Sequence, residues 1–130
     1  MNKEKCAELM AEWLPEGKEI LKEHLVNFNE ILLYVLAGEV ITEPLIEFLH
    51  ANSKSDMIEK YCYMIELMWK KGNEEVNNVV DVTILERLSD DIEIWNRFGE
   101  YISDEFKRYI NDEAIANNIA LPSNQKIIVR

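Results

Sequence analysis

The chain has 130 residues, 48% of them hydrophobic, with 25 acidic side chains against 14 basic ones and a formal net charge of −11. A field of that sign repels phosphate backbones, which sets nucleic acid aside as a partner and favours a basic one. The longest apolar run, Ile31 to Ala37, is too short to cross a bilayer, and the N-terminal stretch is amphipathic rather than signal-like. The expectation is one cytoplasmic helical domain over residues 1–130, with no membrane partner and with residues 113–130 a less regular tail.

Residues 2–14 read as a first helix with Cys6, Leu9, Met10, Trp13 and Leu14 on one face. Pro15 suits the opening of a second helix, which runs to about Phe28 with Ile20, Leu21, Leu25 and Phe28 facing inward. Ile31 to Leu36 is apolar on every side, as in a helix enclosed by its neighbours. Gly38 is expected to break or bend that helix. A new one is expected near Thr42, because Pro44 lacks a backbone donor. Its face is Val40, Ile41, Leu45, Ile46, Phe48 and Leu49.

The stretch from Lys54 to Leu88 organises the rest. Met57, Ile58, Tyr61, Cys62, Ile65, Met68 and Trp69 fall at three- and four-residue steps. Ser55 or Asp56 can cap the first turn, and Lys70 and Lys71 suit the carbonyl end. Gly72 can end the helix in a left-handed conformation, and Asn73 can cap the next one. Val76, Val79, Val80, Ile84, Leu85 and Leu88 form the second face. β-Branched residues leave a strand over 79–84 as the competing reading. The helical spacing of Asn77, Asn78, Asp81 and Glu86 favours helix, with those residues turned to solvent.

The run from Gly72 to Leu88 resembles the signature of an uncharacterised family of short, acidic, helical bacterial proteins. That signature opens Gly-acid-Glu-Glu-Val-polar-Asn and closes Leu-Glu-x-Leu. The matching positions are Gly72, Glu74, Glu75, Val76, Asn78, Val82, Leu85, Glu86 and Leu88. Gly38-Glu39-Val40 resembles a second element, which extends the resemblance from about residue 30 to 90. Asp81 departs from the pattern, where the family has a small apolar residue. The resemblance carries over no activity. Members are similar in size and charge to immunity proteins of bacterial toxin systems.

Asp90 and Glu93 have capping-box spacing for a further helix, whose stripe is Ile94, Phe98, Tyr101, Ile102, Phe106, Tyr109 and Ile110. Gly99 permits a bend. Residues 125–130 have strand character. The fold expected is all-α: an antiparallel bundle or a short HEAT-like stack of about six helices.

Chemistry is sparse. Cys6 and Cys62 read as reduced core residues. His24 and His50 belong to no zinc-binding spacing. His50 could join Glu43 and Glu47 on one helix, though such a row is more often a solvated face. There is no phosphate loop and no nucleophile elbow. No cofactor, metal or catalytic residue is assigned. Trp13, Trp69 and Trp95 read as core anchors. The candidate interaction surface is Glu39, Glu43, Glu47, Asn77, Asn78, Asp81, Asp90 and Asp91. The function expected is a non-enzymatic protein-interaction module, in the manner of an immunity or inhibitor protein. The alternative is a small enzyme or ligand-binding domain with a pocket between helices. Tyr101 and Tyr109, read as exposed, leave self-association open.

Overall fold

The structure is a computed structural model, and it describes residues 1–53 and 55–114. Within them the chain is an all-α bundle of seven helices. α1 is Lys3–Trp13 and α2 is Gly17–Phe28. α3 spans residues 33–51, α4 is Ser55–Lys71, and α5 spans residues 74–88. α6 is Ile92–Gly99, and α7 starts at Asp104 and runs to the end of the described segment. Residues 125–130, and with them the expected strand, lie outside the described residues, as does nearly all of the expected tail from 113.

The expected reversal at 72–73 is present. Lys70 and Lys71 lie in the last turn of α4, and the Asn73 side chain accepts from the Val76 N–H at 3.0 Å. Gly72 is needed for a reason other than the expected one, because its φ is not positive. A Cβ there would run into the Met68 carbonyl oxygen and lie 2.6 Å from Val76 Cγ1. The constraint is close approach of the two helices, not left-handed backbone. The Asn73 N–H also donates to the Met1 carbonyl at 2.8 Å, which ties the turn to the start of α1. Ser55 and Asp56 are both inside α4, so neither caps it from outside its first turn.

α3 and α5 each contain one widened turn. In α3 the Glu43 N–H reaches the Gly38 carbonyl, and in α5 the Glu86 N–H reaches the Asp81 carbonyl. Both are i→i−5 bonds, the π-helical pattern. Gly38 therefore neither breaks nor ends the helix, and no new helix starts at Thr42. The π turn sits just before Pro44, whose missing N–H and bulky ring an unbroken α-helix would not accommodate. The Thr42 hydroxyl donates across the widened turn to the Ala37 carbonyl at 3.5 Å. The two π turns pack against each other. The valines of α5 stay helical because Val76, Val79 and Val80 are all buried, and packing overrides propensity.

One continuous core runs from Cys6 to Ile110. α3 lies at its centre, against α1, α2, α4, α5 and α6. Trp95 and Phe98 of α6 are fully buried, with ring centroids 5.8 Å apart. Arg97 closes the end of α3 by donating to the Leu49 and His50 carbonyls at 2.8 and 3.1 Å, where the helix dipole favours a cation. α6 is capped by Asp91, which accepts from Glu93 and Ile94, rather than by Asp90. At Gly99 the stripe does not merely bend. α6 ends, and Ser103 caps α7 by accepting from the Phe106 N–H.

Two inward assignments on α2 are overturned. Leu25 and Phe28 are exposed, and the most buried side chain of this helix is His24. The turn into α2 explains the rotation. Glu16 adopts a left-handed conformation, and Gly17 packs so closely on α1 that a Cβ would lie 2.9 Å from the Ala11 Cα. That contact fixes which side of α2 meets α1.

Candidate functional site

The expected interaction surface does not form one patch. Glu39, Glu43 and Glu47 are exposed on α3, and Asn78 is exposed on α5. Asn77 is half-buried, and its amide donates to the Trp69 carbonyl at 2.6 Å. Asp91 is occupied as a cap. Asp81 retains only 6% of its surface, and Tyr109 donates to both of its carboxylate oxygens, at 2.7 and 2.9 Å. Asp81 is thus a structural residue, not a solvent-facing one, and Tyr109 turns inward instead of offering an exposed ring. The helical repeat itself carries the reason: Asp81 stands three, four and seven residues before Ile84, Leu85 and Leu88, which are all buried, and there it meets Tyr109 of α7. Burial pushes the Asp81 carboxyl above the usual aspartate value, and the Tyr109 hydrogen bond partly offsets it.

Three of the open grooves among the described residues gather the charged side chains. The first, about 380 Å³, runs beside the paired π turns and is floored by Gly38, Thr42, Val82 and Thr83. Its rim brings together Glu43 and Asp90 from the sequence reading, with Glu86 and Arg87 between them. The Arg87 guanidinium stands 3.5 Å from Glu43 and 3.9 Å from Asp90. The second groove, about 470 Å³, lies between α1 and α2, with Leu21, Leu25 and Ile31 below Glu4, Glu8, Glu12 and Lys18.

The third groove, about 720 Å³, is the most voluminous of these three and lies where the end of α1 meets the start of α4. Asp56, Glu59, Lys60 and Tyr63 line one wall at i, i+3, i+4 and i+7, the outer stripe of α4. Trp13 and Glu12 supply the other wall. Trp13 is 39% exposed, so it is not the core anchor its position on an apolar stripe implied. Its ring centroid lies 5.9 Å from that of Tyr63, which is itself 60% exposed. The sequence reading missed both as site residues. An aromatic at position 63, on the charged side of a helix, was the available signal.

Neither histidine lines any of these grooves. His50 is exposed. His24 Nε2 accepts from the Leu32 N–H at 3.0 Å, which places the ring proton on Nδ1. Cys6 and Cys62 are buried free thiols. Burial pushes Cys6 up to about 12 and raises Cys62 as well, which leaves both as protonated, weakly nucleophilic groups. Among the described residues no group of three or more His, Cys, Asp and Glu side chains is placed to hold a metal ion, and no helix is long and apolar enough to cross a membrane.

Residues 7–117 match the family described as Domain of unknown function (DUF7674). The chain belongs to that family. The match covers most of the chain, including all three grooves except for the Glu4 edge of the second. No curated protein and no solved structure matches it.

Proposed function

We propose that this member of the family is a non-enzymatic interaction module that presents an acidic surface to a basic protein partner, in the manner of an immunity or inhibitor protein. The observation that carries the reading is the repeated charge pattern of the three grooves. Each is rimmed by three carboxylates against one cation: Glu43, Glu86 and Asp90 with Arg87; Glu4, Glu8 and Glu12 with Lys18; Glu12, Asp56 and Glu59 with Lys60. Eight different carboxylates and three cations stand on these rims, so five of the eleven excess negative charges lie at concave places where a partner would seat. Such a field speeds encounter with a positively charged surface and discriminates against acidic ones.

The test is binding to the product of the adjacent gene, measured at low and at high salt. The expected result is an association that weakens as salt screens the rim charges. Loss of that partner's activity on binding would establish the inhibitory form of the reading. Absence of binding at both salt concentrations would remove the basis for it.

A further inference from the structure

We infer that the groove between Trp13 and Tyr63 is where the partner docks, and that its occupant is a basic peptide segment whose arginine or lysine side chains lie against the two rings. The inference rests on the interaction-module reading and adds the place and the chemistry of contact.

Three features separate this groove from the other two. First, it exposes a pair of aromatic rings, 5.9 Å apart and tilted by 39°, which gives a cation two ring faces to lie on. Aromatic residues of this kind are the ones that carry binding energy at interfaces. Second, its carboxylates are uncommitted. Among the described residues neither Glu12, Asp56, Glu59 nor Lys60 takes part in an ion pair, whereas Glu43 and Asp90 of the first groove already face Arg87, and Glu8 of the second faces Lys5 at 3.9 Å. Third, its walls are well supported. Leu14, which lines the groove next to Trp13, is buried, and Ile58, Cys62 and Ile65 fix the opposite face of the α4 turns that carry Asp56, Glu59 and Tyr63. Binding there would need little ordering of the walls, which favours affinity.

The charge arrangement selects the occupant. Apolar rings flanked by Glu12, Asp56 and Glu59 suit a side chain with an apolar stem and a cationic head, which describes arginine and lysine. An acidic segment would meet three like charges. A second copy of this chain carries the same net charge of −11 and would be repelled.

The experiment uses the full chain and a short arginine–leucine repeat peptide, with a glutamate–leucine repeat as control, titrated at low salt by calorimetry. The basic peptide is expected to bind and the acidic one not to. Trp13→Ala and Tyr63→Ala should each weaken binding on the order of ten-fold. The pair Asp56→Asn and Glu59→Gln should weaken it and flatten its salt dependence, while Lys60→Gln should strengthen it. All of these positions are exposed, and an unchanged helical circular-dichroism spectrum verifies each variant's fold. The pair Glu43→Gln and Asp90→Asn, in the first groove, should leave affinity within about two-fold. If the peptide binds but responds to the first-groove variants and not to Trp13→Ala, the docking site is wrong and the broader reading survives. If the basic peptide does not bind at low salt, both fall. A mass by light scattering twice that of the chain, restored to one copy by Trp13→Ala, would assign the groove to self-association and overturn the proposal.

Discussion

Two regions of this molecule are built from the same ingredients, aromatic rings and carboxylates, arranged in opposite ways. Where α4, α5 and α7 meet, Trp69 packs at a tilt against Phe106 and Tyr109, at 4.9 and 5.1 Å, and Tyr109 donates to the buried Asp81 carboxylate. Where α1 meets α4, Trp13 and Tyr63 stand open with carboxylates around them. In the closed cluster the carboxylate is inside and must be satisfied by the protein. In the open one it is outside and remains available. The difference shows how one composition serves two purposes. A sealed ring cluster holds helices together, and an exposed one of similar chemistry is left for something else to cover.

The largest expected effect tests the closed side. Trp69→Ala removes the ring that Phe106 and Tyr109 pack on, at a junction further tied by Lys70–Glu105 at 3.1 Å and by Glu66, which accepts from Ser103. Truncating a packed tryptophan costs about 3 kcal/mol or more. Urea unfolding followed by circular dichroism should show that loss. A loss under about 1 kcal/mol would mean that the cluster is not a structural junction.

Next in size is Tyr109→Phe, which keeps the ring and removes the hydroxyl. Asp81 would lose its phenolic donor while remaining buried, at a cost of about 1–3 kcal/mol near neutral pH. The same pair sets a pH dependence. The folded-state value of Asp81 is raised, chiefly by burial and against the Tyr109 hydrogen bond. Between the unfolded and the raised folded value, the folded protein therefore holds a proton that the unfolded chain has released. The contribution of this group to stability is fully present below the unfolded aspartate value, and it is lost as pH rises through the raised folded one. In Tyr109→Phe the lowering influence is gone, so the loss extends to higher pH. Asp81→Asn should flatten this part of the profile, and denaturant midpoints across the acid range measure it.

The same contrast shows what the amino-acid order made legible. The buried face of α4 and α5, from Ile58 through Met68 and from Val76 to Leu88, follows from spacing alone, because helical periodicity reports which side of a helix is apolar. The reversal at 72–73 was visible in the stop and start residues Lys70, Lys71 and Asn73, although the role of Gly72 was not, since close approach depends on Val76 of the facing helix. The π turns left no mark on the pattern. Asp81 was read as outward because it is charged, although it stands three, four and seven residues before the buried Ile84, Leu85 and Leu88, and it is found inside. Trp13 and Phe28 failed in the other direction. An apolar residue on an apolar stripe is buried only if a neighbour arrives to cover it, and the stripe does not say where the neighbour stops. The candidate surface was legible as charge but not as place: Glu43 and Asp90 do meet at one groove, whereas Asn77, Asp81 and Asp91 are taken up by the fold.

The smallest expected change in stability belongs to Trp13→Ala, and it sharpens the comparison most. The ring is 39% exposed, and Tyr63, the ring it packs on, is more exposed still. Such a ring contact is worth roughly 0.5–1.5 kcal/mol when well packed, and its open geometry puts Trp13 at or below the lower end. The unfolding midpoint should therefore move little, well short of the shift from Trp69→Ala under the same conditions. If the two tryptophans prove equally important for stability, the groove wall is part of the core, and the division between a sealed cluster and an open one does not hold. If Trp13→Ala is near neutral for folding yet weakens capture of a basic peptide, one substitution has separated what holds the helices together from what the molecule presents to a partner.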